Sequence, residues 1–230
     1  MNPTAIEWCD YSWNPLTGCL HGCKYCYARK IAIRFAGTKA WPNGFEPTFH
    51  QERLNDPLTT KKPSAVFVGS MTDIFGAWND PRVIADIFGI LARAKQHTFI
   101  LLTKAPENID RFLSGVNFPG NVWIGVSVED QSTVYRIDTM LKSAKQIRKF
   151  ISFEPLLGPI DYDLTGIGGV IIGPRTKPPN LITQEMVEPI FNAALKAGNI
   201  PVFCKDKMPE WAKVRRELPW AVRKQNIGGT

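Results

Sequence analysis

Cys19-Leu20-His21-Gly22-Cys23-Lys24-Tyr25-Cys26 sets three cysteines in a C-x3-C-x2-C spacing, with an aromatic residue just before the last. Three thiols on so short a loop point to a metal. A tetrahedral structural zinc site takes four protein ligands, commonly as pairs of cysteines, and here the local count stops at three. A cubane iron–sulfur cluster has four irons bound through cysteine thiolates, so three cysteines leave one iron open to a small molecule. Cys19, Cys23 and Cys26 are therefore the expected metal ligands, at a site built for chemistry rather than scaffolding. Two neighbours offer alternatives. Cys9 would supply a fourth thiolate and His21 would complete a zinc site, but burial is the ordinary fate of a free cysteine and exposure that of a loop histidine.

Outward from the loop, short apolar runs recur at 66–69, 99–102, 122–126, 150–153, 170–172 and 202–203, with helical segments between them. None alternates apolar with polar, and continuous runs rich in Val, Ile and Phe mark strands buried on both faces, as in parallel sheets covered by helices. Asp80 is placed to cap and Pro81 to open a helix with Val83, Ile84, Ile87, Phe88 and Leu91 on one side. Residues 106–113 and 131–141 read as two more helices. Another covers 183–197 with Ile190, Phe191, Ala194 and Leu195 inward, started late or kinked by Pro189 and stopped by Gly198. A first strand at 6–8 and a helix at 27–35 complete six or seven βα units. Eight-fold barrels need about 250 residues, so 230 residues predict an α/β fold of parallel strands in a partial, open (β/α)6-type TIM barrel. The expected organisation is a barrel over 1–205 with its cysteine loop at 16–27, and a basic extension over 206–230. A cover segment over 37–63 would close the cysteine side of the barrel, since so long a connection is uncommon unless functional.

Working residues of a parallel barrel sit at the C-terminal ends of its strands. Polar residues collect there: Ser70 and Asp73, Thr103 and Lys104, Ser127 and Glu129, Ser152 and Glu154, Arg175, and Cys204 with Lys205. Buried ionisable groups are costly unless paired, so such a ring points to a polar cofactor or substrate among them.

The cysteine spacing with Tyr25 resembles the signature of the radical S-adenosylmethionine superfamily. The stretches 13–15, 17–19, 68–75, 101–104, 125–129 and 152–161 extend the likeness from Ala5 to Lys205, to a radical-SAM-like family common in phages and prokaryotes whose reaction is unassigned. The resemblance implies the partial barrel, a four-iron four-sulfur cluster, and S-adenosylmethionine. It also implies an external electron donor of flavodoxin or ferredoxin type. Carried over by position, Gly69, Ser70 and Asp73 face the methionine amino group and Lys104 its carboxylate. Ser127 and Glu129 face the ribose, and Tyr25 packs near adenine. Where relatives carry a Gly-Gly-Glu-Ser type turn, this chain reads Gly173-Pro174-Arg175-Thr176-Lys177-Pro178-Pro179, so Arg175 is expected to favour an anionic group of the substrate. Trp13, beside the loop, is a second substrate contact. Glu154, Lys205 and Cys204 are the candidate catalytic residues. The Cys204 thiol would return a hydrogen atom to a carbon radical, or else serve as a small buried hydrophobe.

The net charge of +7 is uneven: residues 1–40 hold five basic and two acidic side chains, and residues 201–230 seven and three. If the termini adjoin, they make one basic surface suited to nucleic acid or another anionic ligand. Without that, the cations of the second end, Arg223 and Lys224 included, only keep it solvated. No apolar run approaches a membrane span and the start resembles no signal peptide. Five cysteines, three of them clustered, fit a reducing compartment, so the expected location is the cytoplasm. The leading reading is an enzyme that cleaves S-adenosylmethionine to a 5′-deoxyadenosyl radical. A non-catalytic iron–sulfur or zinc module binding nucleic acid through its basic ends is the alternative, and simple electron transfer would need Cys9 as fourth ligand.

Overall fold

The apolar runs do form the central strands. A computed structural model describes residues 1–114, 118–143, 146–176 and 178–220. Its strands are β1 (Asn2–Pro3), β2 (Tyr11–Trp13), β3 (Leu16–Thr17), β4 (Thr48–Phe49), β5 (Ala65–Val68), β6 (Thr98–Thr103), β7 (Val122–Ser127), β8 (Arg148–Phe153), β9 (Val170–Ile172) and β10 (Val202–Cys204). The helices are α1 (Tyr27–Arg34), α2 (Asp56–Thr59), α3 (Pro81–Arg93), α4 (Ile109–Leu113), α5 (Tyr135–Lys142) and α6 (Gln184–Lys196). One sheet runs in the order β1-β2-β5-β6-β7-β8-β9-β10. It is parallel from β2 onward, with β1 antiparallel at its edge.

Side chains alternate across this sheet even though the sequence does not. Phe67, Ile100, Trp123, Phe150, Ile171 and Phe203 face the barrel interior together with Trp8 and Trp220. Their strand neighbours, such as Val66, Leu101, Ile124, Ile151 and Ile172, pack under the helices. The sheet stays open: among the described residues β10 meets no strand from the start of the chain. Its outer edge is bonded instead by the terminal segment, through Cys204 N–H to Arg215 O at 3.0 Å and Glu217 N–H to Val202 O at 2.9 Å. Residues 206–220 thus complete the barrel wall rather than trail from it, while Arg223 and Lys224 lie outside the described residues.

Two expectations are corrected. The first barrel strand is β2, not residues 6–8, which fold into a turn closed by Cys9 N–H to Ile6 O at 3.2 Å, so that Trp8 can enter the interior. Leu195 is exposed, because the buried stripe of α6 falls on Met186, Val187, Ile190 and Ala194, with Pro189 inside the helix. The expected cap of α3 is present, the Asp80 carboxylate accepting from Arg82 N–H at 2.8 Å.

The segment 37–63 lies against the cysteine loop. Its β4 pairs antiparallel with β3, and Phe45 O accepts from Cys19 N–H at 3.3 Å. Gly18, at φ +85, sits so close that a Cβ there would stand 2.2 Å from Glu46 O. Only glycine tolerates both that angle and that approach. No helix among the described residues is long and apolar enough to cross a membrane.

Candidate metal and cofactor site

Cys19, Cys23 and Cys26 line one cavity of about 270 Å³ at the C-terminal ends of the strands. Its far walls are Gly69 to Asp73 after β5, Leu102 to Lys104 at the end of β6, Ser127, Glu154, Arg175 and Lys205. Cys26 caps α1, its sulfur accepting from Arg29 N–H at 3.3 Å, so the positive end of the helix lies at that sulfur. Burial pushes the Cys19 thiol up to about 11 and raises that of Cys23 as well. Among the described residues, no three His, Cys, Asp or Glu side chains converge as they would around a single metal ion. In a cubane cluster each cysteine binds its own iron, so three separate thiols around one cavity are a donor set that fits such a group.

The loop is tied to the strand ends through His21. Its Nε2 lies 2.7 Å from Asp73 Oδ2, and its ring meets Trp78 edge-on at 5.0 Å. Asp73 also accepts from Phe75 N–H at 3.0 Å and Lys104 N–H at 2.8 Å. A single buried carboxylate therefore joins the cysteine loop to the ends of β5 and β6. Gly18 N–H to Met71 O at 3.0 Å and the Thr72 hydroxyl to Gly18 O at 2.6 Å add to the tie. Asn14 bridges Ser70 and Met71, its Oδ1 accepting from the Ser70 hydroxyl at 3.2 Å and Met71 N–H at 3.1 Å. His21 is thus no free loop histidine. Its signal in the sequence was only its place inside the cysteine motif.

Glu129 sits behind the cavity wall. It holds the Lys104 ammonium, the Tyr25 hydroxyl and, at 2.7 Å, the Arg136 guanidinium. Lys104 Nζ lies 5.5 Å from the centre of the Tyr25 ring. Arg136 also donates to Ser127 O at 2.8 Å, a contact no sequence pattern announced. Burial alone would raise the Glu129 carboxyl, but Lys104, its hydrogen bonds and Arg136 outweigh that and hold it below the ordinary value. A depressed carboxyl contributes stability above its unfolded pKa and loses it as pH falls through the folded one. Glu129→Gln is expected to cost on the order of 3 kcal/mol at neutral pH, because cations are left unpaired. The gap from wild type should narrow below the unfolded carboxyl value of 4.5. Urea unfolding at neutral and acid pH checks this, and a gap independent of pH would refute it.

Across the cavity Lys205 pairs with Glu154. Gly173 leaves them room, since a Cβ there would stand 2.8 Å from Lys205 Cδ. Arg175 is set by its N–H to Asn180 Oδ1 at 2.6 Å and its Nε to Pro178 O at 2.7 Å. Lys177 lies outside the described residues. Ser152, the cross-strand partner of Ser127, has a fully buried hydroxyl with no hydrogen-bond partner among the described residues.

Three expected site residues do not line the cavity: Glu129, expected at the ribose, stands behind the wall where its carboxylate is taken up by Lys104, Tyr25 and Arg136, and Cys204 and Trp13 lie farther off. Cys204 and Trp13 both lie on the helix-facing side of their strands, wholly buried in the outer core, where burial raises the Cys204 thiol to about 12. Trp13 N–H is satisfied by Arg53 O at 2.8 Å. Cys9 is also absent from the cavity wall.

The family model described as "Protein of unknown function (DUF5131)" matches residues 3–224. The chain belongs to that family. No curated protein matches it. Among solved structures, this DUF5131 chain is similar to a double mutant of spore photoproduct lyase with bound AdoMet and dinucleoside spore photoproduct, at TM-score 0.52 and 11% identity, over 93% of this chain and 62% of that one. It is also similar to a single-site mutant of that lyase with dinucleoside spore photoproduct, at TM-score 0.46 and 14% identity, over 85% and 63%. The chain thus spans less than two thirds of the length of those structures. The shared feature is the fold, a partial barrel of mostly parallel strands with helices around it.

Proposed function

We propose that the chain is a radical S-adenosylmethionine enzyme with Cys19, Cys23 and Cys26 as the protein ligands of a four-iron four-sulfur cluster. The observation that carries this reading is that the three thiols share one cavity with the polar strand ends. When bound, the cluster would pass an electron to S-adenosylmethionine, whose cleavage gives a 5′-deoxyadenosyl radical.

The chain's own residues bind and orient. Ser70 and the backbone at Gly69 line the wall beside the thiols and are assigned to the methionine end. Lys104 offers its ammonium to the carboxylate while Glu129 holds it in place. Asp73, its oxygens already engaged by Phe75, Lys104 and His21, positions the loop rather than binding the amino group directly. Glu129 likewise positions Tyr25 for adenine, and the Ser127 hydroxyl is left for the ribose. Glu154 and Lys205 face the reacting region as a pair able to hold a proton at either atom. Arg175 receives an anionic group of the substrate.

Anaerobic reconstitution with iron and sulfide, then reduction with dithionite in the presence of S-adenosylmethionine, is expected to yield 5′-deoxyadenosine. Stoichiometric zinc in place of iron, or intact S-adenosylmethionine after reduction, would sink the assignment.

A further inference from the structure

The cavity wall also holds residues with no part in binding the cofactor. Ile6, Trp8, Phe67 and Leu102 line it, and all four belong to the apolar cluster inside the barrel. The Trp8 and Phe67 rings stand 4.6 Å apart between centroids. Trp8 is 3% exposed, and its Nε1 has no hydrogen-bond partner among the described residues. A buried donor left unpaired is costly, and an acceptor on a bound ligand would relieve it. Charges around the cavity are matched with one exception. Glu154 holds Lys205, and Glu129 holds Lys104 and Arg136. Arg175, on the cavity wall, gives its Nε to Pro178 O and makes no ion pair among the described residues.

The face outside the cavity carries the same chemistry. Between Asp10 and Glu46 there is no Asp or Glu. The five cations of that stretch, Lys24, Arg29, Lys30, Arg34 and Lys39, make no ion pair among the described residues. Tyr27, Lys30 and Arg34 are exposed and, spaced three and four apart, share one side of α1. Tyr27 is 50% exposed and also lines the cavity, so it joins this side to the cavity mouth. Phe35 is exposed, with the Arg34 guanidinium 5.4 Å from its ring centre. Phe45, at the cavity, has the Arg29 guanidinium over it at 5.4 Å. Of the carboxylates near this face, Asp73 is buried and taken up by His21 and by the N–H groups of Phe75 and Lys104. Glu46, beside Gly18, is exposed.

Aromatic rings interleaved with unpaired cations hold single-stranded nucleic acid, whose bases stack while its phosphates meet Lys and Arg. A base offers a flat face and hydrogen-bond acceptors to a wall of two rings with an unused N–H, and a phosphate suits an unpaired guanidinium. A base reaches such a cavity only from outside a duplex stack. Leu20 and Ile33 are exposed on the same face and would suit a protein, but a protein seated there leaves the Trp8–Phe67 wall and Arg175 unused. We infer that the substrate is a nucleotide within single-stranded nucleic acid, its base against Trp8 and Phe67, its phosphate at Arg175 and the adjoining strand along Tyr27, Lys30 and Arg34. That this ligand is a substrate rests on the proposed cluster chemistry; that it binds rests on the cavity and the face alone.

The test uses fluorescein-labelled single strands, DNA and RNA of one sequence, with the cluster-loaded chain under anaerobic conditions. Fluorescence anisotropy should show binding that weakens steeply with salt, and the tighter of the two strands names the source. The double variant Lys30→Glu, Arg34→Glu should weaken it by roughly tenfold or more and flatten the salt dependence. Tyr27→Leu should weaken it by roughly fivefold or more with that dependence unchanged, and Tyr27→Phe should bind as wild type, because the ring is the platform. Reversing Lys61 and Lys62, exposed residues before β5 at the other end of the barrel, should leave binding intact. Trp8 is part of the core, so entry of the base is read on the wild type instead. A strand with a central 5-iodouracil should photo-cross-link to Trp8 or Phe67, mapped by mass spectrometry of the digested protein. Absent binding by wild type, equal loss in both reversal variants, or cross-links confined to Tyr27 and Phe35 would overturn the inference. So would displacement by polyglutamate at the same charge concentration as unlabelled strand, which marks a face for acidic protein. If dithionite yields no 5′-deoxyadenosine with wild type, the functional reading fails, and anisotropy and cross-linking still decide the ligand.

Discussion

Replacing any one of Cys19, Cys23 and Cys26 by alanine is expected to remove most of the cluster absorption and all measurable S-adenosylmethionine cleavage. The loss should exceed the roughly 10–100-fold that follows removal of an outer partner of a metal ligand. Cys9→Ala and Cys204→Ala are the controls. Neither thiol lines the cavity, and both are pushed up to about 12, mainly by burial. Iron content, the visible spectrum and product analysis on the five variants read the outcome. A Cys9 variant that loses iron as fully as a Cys23 variant would make Cys9 a fourth ligand and remove the open iron on which the chemistry depends.

The second large effect is on stability, at Trp220. Its ring packs edge-on to Phe150, Trp123 and Trp8 at 5.0, 5.6 and 6.0 Å between centroids, and its N–H donates to Trp8 O at 2.9 Å. It fills the interior of an open barrel from the segment that bonds the β10 edge. Trp220→Ala is expected to cost about 3–5 kcal/mol, the range for deleting a buried aromatic side chain. The lower end of the range applies if Trp8 collapses into the space. Urea unfolding at neutral pH measures it. A loss under about 1 kcal/mol would mean that the segment only leans on the barrel, and the account of barrel closure would be wrong.

Much of this was legible in residue order. Three cysteines at their spacing, the continuous apolar runs and the Asp80-Pro81 helix start are local patterns: the runs became strands, Asp80 caps its helix and the three thiols border one cavity. The polar strand ends were legible for the same reason: a βα turn follows each strand, so its first residues border one cavity. The pairing among them was not. Nothing in the sequence links His21 to Asp73, Glu129 to Tyr25 and Arg136, or Lys205 to Glu154, because these contacts join residues from 7 to 104 positions apart.

Cys204 and Trp13 show the same boundary. A strand with one wet face alternates apolar and polar residues, and so shows which side each residue takes. Strands buried on both faces carry no such alternation, so Cys204 and Trp13 had equal claims to either side. The packing decided for the helix layer, where Val202 and Cys204 turn to the outer core while Phe203 takes the interior. Composition and spacing supplied the fold class and the thiols. Which side chains meet in the cavity was settled by sheet register and by tertiary contacts that no local pattern encodes.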